Sequence, residues 1–219
     1  MHILWYGQSC FQIIITRNNR NKGEQLSIVI DPFDEATGLK IPSLSADVLL
    51  ISHPHHDHDN KKVVRGNPFL IEEPGEYEIK GVFVQGITSF HDDKGGKERG
   101  SNTIYSIEAE GVRLCHLGDF GQKELTSEQL EEIGDVDVLM MPVGGVYTIS
   151  AKEAAKIISQ IEPLLVIPMH YHIPGLKIKL DGVDKFLKEM GRKSVEPQPK
   201  LLIKKKDLPE ETKIVVLKP

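Results

Sequence analysis

Four of the chain's nine histidines fall within six residues, in Ser52-His53-Pro54-His55-His56-Asp57-His58-Asp59-Asn60. Each imidazole needs a partner for each ring nitrogen, so packing several in a row is costly unless something binds them. The row follows directly on Ala46-Asp47-Val48-Leu49-Leu50-Ile51, a short apolar run of strand character. A merely solvated histidine run does not normally emerge from a buried strand, so the fold must bring this row to a sheet edge and give its nitrogens something to bind. A metal site meets both demands. The spacing His53-x-His55-x-Asp57-His58 lets His53 and His55 face one ion while Asp57 and His58 face a second. Two protein ligands per ion fall short of the three or four typical of zinc, so the rest must come from elsewhere.

Three later positions qualify. His91 ends the strand expected over Val82 to Phe90, Asp119 follows the strand expected over Val112 to Leu117, and His170 follows the strand expected over Leu164 to Ile167. Each lies where a strand ends, beside glycine, proline or another polar residue. An aspartate has two oxygens and is able to bridge two ions.

The pattern around these positions is strand-rich in the first half. Ile3 to Tyr6, Cys10 to Thr16, Leu26 to Ile30, Phe69 to Ile71, Tyr77 to Lys80 and Thr103 to Ile107 all read as strands. Arg17 to Glu24 reads as a hairpin tip, His91 to Gly100 as a mobile polar loop, and Asp57 to Lys62 as the start of a short helix. The second half alternates helix and strand. Thr126-Ser127-Glu128-Gln129 and Ser150-Ala151-Lys152-Glu153 are capping boxes. The helix after Ser150 places Ala154, Ile157, Ile158 and Ile161 on one face. Asp181 is the expected cap of a third helix to Met190, with Gly191 after its end, and Ile214 to Leu217 reads as a last strand. No Pro- or Ser-rich linker divides residues 1–219, which favours one domain, with two sheets and helices outside them.

The net charge of −5 provides no basic field for nucleic acid or a membrane surface. No apolar run approaches a membrane span and no charged-then-apolar signal segment opens the chain, so the expected compartment is the cytoplasm. The two cysteines, Cys10 and Cys115, form no CxxC motif and read as small buried apolar residues.

Taken together, Gly7-Gln8-Ser9-Cys10-Phe11, Asp31-Pro32, the histidine row, His116-Leu117-Gly118-Asp119, Pro142-Val143-Gly144-Gly145 and Pro168-Met169-His170-Tyr171 resemble the metallo-β-lactamase superfamily. More narrowly, they resemble its branch of small metal-dependent hydrolases. The resemblance spans residue 1 to about residue 172. It implies an α+β fold, a four-layer αββα sandwich with its metals on one edge. It also implies that His53, His55 and His91 hold one divalent ion, that Asp57, His58 and His170 hold the other, and that Asp119 bridges them. Zinc is the first expectation, with manganese and iron as alternatives. The chain departs from many lactonase-like relatives at Gln8, where they carry His. Gln8 cannot titrate, so any acid–base role of that position in relatives is absent here.

The remaining polar residues leave alternatives. His56 lies between ligands and reads as pointing away. His116 competes with His91 for the first ion, but its place inside a strand favours a packed or ligand-supporting role. His172 competes with His170 and reads as pocket rim. Asp31 either hydrogen-bonds a ligand imidazole or merely ends a strand. Tyr147 either reaches substrate or packs. The expected chemistry is hydrolysis of an ester, lactone, amide or phosphoester bond in a small substrate, by a hydroxide generated between two metals, with Asp57 orienting the nucleophile. Lys94, Lys97 and Arg99 in the loop after His91 suggest an anionic substrate. The competing reading is an iron-dependent oxidoreductase of the same fold. A nuclease fits less well, because the chain lacks room for an added substrate-gripping arm and has no basic surface.

Overall fold

The structure, a computed structural model, describes residues 1–16 and 25–219. The expected hairpin tip at Arg17 to Glu24 lies outside the described residues. Along the chain run β1 (His2–Gly7), β2 (Cys10–Thr16), β3 (Gln25–Ile30), β4 (Leu44–Ser45), β5 (Val48–Leu50), β6 (Val64–Arg65), β7 (Phe69–Ile71) and β8 (Gly75–Ile79). They continue with β9 (Val82–Phe90), β10 (Ser101–Ala109), β11 (Val112–His116), α1 (Ser127–Ile133), β12 (Val138–Pro142), α2 (Ala151–Ile161) and β13 (Leu165–Met169). The last elements are α3 (Val183–Glu189), β14 (Leu201–Leu202) and β15 (Lys213–Ile214). One sheet has the order β14-β1-β2-β3-β5-β7, and the second β15-β13-β12-β11-β10-β9-β8.

Strand alternation explains the continuous apolar runs. Ile28, Ile30, Val48 and Leu50 point into the main core between the sheets, while Val29 and Leu49 join Cys10, Phe33, Ile41 and Leu44 in a second core on the other face. A strand buried on both faces shows no polar alternation, which is why Val48-Leu49-Leu50 reads as uniformly apolar. The cover over that second face includes the β4–β6 pair and a 3₁₀ turn at Glu35–Thr37. On the other sheet α1 packs against β9, and α2 is the crossover between the parallel strands β12 and β13. Among the described residues no helix is long and apolar enough to cross a membrane.

Strand direction gathers the site. β3 and β5 are parallel, and β1 runs the same way because it is antiparallel to β2, which is antiparallel to β3. In the second sheet β11, β12 and β13 are parallel, and β9 shares their direction through two antiparallel pairings with β10. Within each sheet the segments after these strands therefore emerge at one edge, and the two edges meet. Tyr105 Oη on β10 donates to Ile51 O at 2.7 Å, with Ile71 O also within reach at 3.2 Å, and Thr103 N donates to Ser52 O at 2.8 Å. These bonds tie the second sheet to the end of β5 where the histidine row begins.

Both capping boxes form, at Thr126/Gln129 and Ser150/Glu153. Three expectations are corrected, and the loop after His91 gains detail. Asp57 to Lys62 does not open a helix. The chain turns at His55, whose carbonyl accepts from His58 N and Asp59 N, and Asn60 N is drawn away to Pro32 O at 2.7 Å, leaving a 3₁₀ turn at Lys61–Val63. Asp181 does not cap α3: the cap is Gly182, and the Asp181 carboxylate pairs with Lys185 Nζ at 2.6 Å. The last strand is only Lys213–Ile214, with Leu217 bridged singly to Gln198. The loop after His91 is tightly organised. Asp92, 2% exposed, accepts backbone N–H bonds from Lys94, Gly96, Glu98 and Arg99 at 2.8–2.9 Å.

Candidate metal centre

The seven expected donors converge. His53, His55 and His91 form one set, and Asp57, His58, Asp119 and His170 form another, with donor atoms within 4.8 Å of one another in each. Asp119 joins them: its Oδ2 lies 3.2 Å from His91 Nε2, 3.3 Å from His58 Nε2 and 3.2 Å from His170 Nε2. Four ligands about 2.05 Å from a tetrahedral ion stand about 3.3 Å apart, the edge of the tetrahedron. The observed separations fit that edge.

The supporting bonds fix which nitrogen of His58 and of His53 is free. Asp31 Oδ1 accepts Ser52 N at 2.7 Å, and Oδ2 accepts Ser52 Oγ at 2.6 Å. A carboxylate only accepts, so His58 Nδ1, 3.0 Å from Asp31 Oδ2, carries the hydrogen and its Nε2 faces the site. Because Ser52 Oγ spends its hydrogen on Asp31, it accepts from His53 Nδ1 at 2.9 Å, which frees His53 Nε2 in turn. The ring nitrogens His53 Nε2, His58 Nε2, His91 Nδ1 and both of His170 are buried without a hydrogen-bond partner. Leaving a buried polar atom unpaired costs about 1–3 kcal/mol, so His53 Nε2, His58 Nε2 and His170 Nε2 are expensive unless a cation fills the space they face; His91 Nδ1 and His170 Nδ1 lie on the far side of their rings.

Electrostatics point the same way. Burial lowers the affinity of His58 for a proton, but Asp119 and Asp31 more than reverse this and hold it well above the ordinary imidazole range. Burial raises the Asp119 carboxyl, but His170 and His58 bring it well below the usual carboxylate range. Burial and neighbouring histidines push His53 and His55 down, and burial pushes His170 down. Asp119 is thus held ionised and His53, His55 and His170 neutral, while the carboxylates draw a positive charge onto His58, so the place calls for positive charge.

His116 is not a donor. Its Nδ1 accepts from Gly118 N at 3.1 Å, so its Nε2 carries the hydrogen and donates to Ser9 O at 2.9 Å. Both ring nitrogens are spent inside the protein. His56 is exposed and makes none of these bonds, and His172 is exposed. Asp31 takes the ligand-supporting alternative. Tyr147 is 43% exposed and lines the pocket.

Several contributors carry a supporting role that the sequence does not assign. Ser9 Oγ donates to Asp119 Oδ1 at 3.2 Å, and Gln8 Nε2 donates to Asp57 Oδ2 at 3.3 Å. The Gly7-Gln8-Ser9 turn therefore holds both carboxylates. Asn102 Oδ1 accepts Asp119 N at 2.9 Å, while its amide nitrogen donates to Leu117 O. Ser9 and Ser52 stood within the motifs already quoted; Asn102 carried no signal of its own.

The donors open into a cavity of about 380 Å³ lined by His55, His56, Asp57, His91, Arg99, Asp119, Tyr147, His170 and Ile178. That size suits a small molecule. A larger groove of about 630 Å³, near Val195, Pro197 and Ile214, contains none of the donors.

A two-sheet sandwich with this donor set on its edge defines a metallo-β-lactamase-type protein. Residues 2–170 match the family model of the beta-lactamase superfamily domain, and the chain belongs to that family. A UPF0173 metal-dependent hydrolase of Thermococcus onnurineus (strain NA1) is 30% identical over 200 residues, covering 78% of this chain and 84% of that one. Among solved structures, a candidate Zn-dependent hydrolase of the metallo-β-lactamase superfamily from Thermotoga maritima is 39% identical with a TM-score of 0.78, covering 99% of this chain and 97% of that one. CmlA, a diiron β-hydroxylase from Streptomyces venezuelae, shares the fold at 14% identity and TM-score 0.62, over 93% of this chain and 54% of its own.

Proposed function

We propose that this chain cleaves an ester, lactone, amide or phosphoester bond of a small substrate using two divalent ions, zinc first among them. The chain is a metal-dependent hydrolase of the metallo-β-lactamase superfamily, as its relatives are named. The observation that carries the two-ion reading is Asp119 Oδ2 standing 3.2–3.3 Å from imidazole nitrogens of both donor sets. His53, His55 and His91 would hold one ion; Asp57, His58 and His170 would hold the other, with Asp119 between them. When bound, such ions supply Lewis acidity and lower the pKa of a water from about 15.7 toward neutrality.

The chain's own residues then have distinct tasks. Asp31 and Ser52 keep His58 and His53 in the tautomers that face the ions. Ser9 occupies Asp119 Oδ1 and leaves Oδ2 to the histidines. Gln8 occupies Asp57 Oδ2, and the Asp57 side chain is 13% exposed against 3% for Asp119. Asp57 is thus the carboxylate best placed to orient an attacking water and take its proton. Tyr147 and Ile178 wall the cavity beside the donors.

The test is a hydrolysis screen of lactones, phosphodiesters, thioesters and β-lactams with metal-analysed protein. Asp57→Ala should abolish any activity found. Equal activity in that variant would remove the role assigned to Asp57.

A further inference from the structure

Of the three basic residues in the loop after His91, only Arg99 lines the cavity. Lys94 is paired with Glu98. Arg99 is set rigidly relative to the donor His91. Its N–H is bound by Asp92 at 2.8 Å, and His91 N is bound by Gly100 O at 3.1 Å, so the loop closes on itself at both ends. Its guanidinium lies over the Tyr147 ring, 6.0 Å from the centroid. Tyr147 also lines the cavity but belongs to a separate segment, the turn in which its N–H reaches Gly145 O at 2.6 Å. The two side chains therefore meet at the cavity from separate segments.

The charge of Arg99 is not consumed. Among the described residues its one carboxylate partner, Glu98, stands 3.7 Å away and already engages Lys94 through its other oxygen. A single contact of that length is far from the bidentate pairing that an arginine makes with a dedicated carboxylate. Two divalent ions would outweigh Asp57, Asp119 and Asp31, so the guanidinium adds to an already positive cavity. A planar, permanently charged fork presented beside a stacking ring suits a carboxylate or phosphate oxygen pair.

We infer that Arg99, backed by Tyr147, anchors an anionic group of the substrate separate from the bond that is cleaved. The reacting end sits at the metal donors and a carboxylate-type anion at Arg99, so the natural substrate has an acidic group at one end. This rests on the hydrolase reading for what happens at the reacting end, but not for the binding of the anion.

Binding is therefore read without turnover. Succinate, glutarate, adipate and the monoanion butyrate are titrated calorimetrically into the protein as purified, with its metal content measured. The proteins are wild type, Arg99→Gln and Lys97→Gln. At least one dianion should bind about tenfold more tightly than butyrate in wild type and Lys97→Gln, and that advantage should shrink to roughly threefold or less in Arg99→Gln. No advantage in wild type, or one that survives Arg99→Gln, overturns the inference. A protein that keeps the Arg99-dependent preference yet hydrolyses nothing would instead count against the hydrolase reading and leave the anion site standing.

Discussion

Replacing Asp31 with Asn should weaken both metal sites at once, although Asp31 touches only one of the seven donors. The route is the bond chain described above. Asp31 Oδ2 holds His58 Nδ1 directly, and through Ser52 Oγ it holds His53 Nδ1, one ring from each set. Asn is the informative substitution because Asp31 has φ +47°, and Asn tolerates that left-handed backbone better than most residues. Asn Oδ1 can still accept Ser52 N, but its amide nitrogen presents hydrogens to two groups that themselves donate. Loss of a partner behind a metal-bound histidine typically costs about 10- to 100-fold in metal affinity, or about 1.4–2.7 kcal/mol per ion. Competition with a zinc chelator, on protein shown to be folded by circular dichroism, reads both binding steps. Ser52→Ala is the companion variant. It keeps the Asp31–His58 bond and removes the acceptor of His53, so it should weaken one step only. Unchanged affinity in Asp31→Asn, or equal loss at both steps in Ser52→Ala, would refute the reasoning.

Two further variants test how the site is framed. Four backbone N–H bonds bring Asp92 down to about 2, against the opposing effect of burial. A depressed folded-state pKa gives stability that is full above the unfolded value near 3.9 and is lost as the pH falls through 2, so acid unfolding of the metal-free protein should steepen in that window. Asp92→Asn should remove up to about 2 kcal/mol at neutral pH and flatten the slope between pH 4 and 2; an identical acid titration would contradict this. Gly118 has φ +57°, and a Cβ there would stand 2.3 Å from Asn102 Oδ1 and 2.7 Å from Ser52 Cβ. Gly118→Ala should cost about 2–5 kcal/mol from left-handed strain and overpacking. It should also release zinc more readily, because Asn102 holds the Asp119 backbone; a variant with wild-type melting temperature and zinc affinity would show that the contact is dispensable.

How much of this was legible in the sequence differed by element. That these seven residues would cluster was readable because each side chain carries its chemistry openly and stands at a strand end. Strand ends are marked by glycine, proline and a change of polarity. Their convergence needed the strand directions, which periodicity does not reveal. The supporting bonds were harder. Asp31 was open between two roles because strand-ending Asp-Pro is common, and only the position of His58 Nδ1 decides it. Asn102, Ser9 and Gln8 act through single hydrogen bonds across 17, 110 and 49 residues of chain, a separation that leaves no local pattern. Three glycines and many charges make the loop after His91 read as a flexible tip, and nothing local announces the bonds that Asp92 collects. The glycines Gly95, Gly96 and Gly100 instead take positive φ so that the backbone can wrap Asp92. Asp181 looked like a cap because it precedes the helix, but its carboxylate is held by Lys185, one turn on.

The central claim is that two ions share this edge through Asp119. It is tested most directly by loading metal-free protein with zinc, removing the excess and measuring zinc per chain. The account predicts two zinc ions per chain in the wild type and one in His91→Ala, with impaired binding of both in Asp119→Ala. One zinc ion or none in the wild type, or a coloured iron centre that zinc cannot replace, would contradict it.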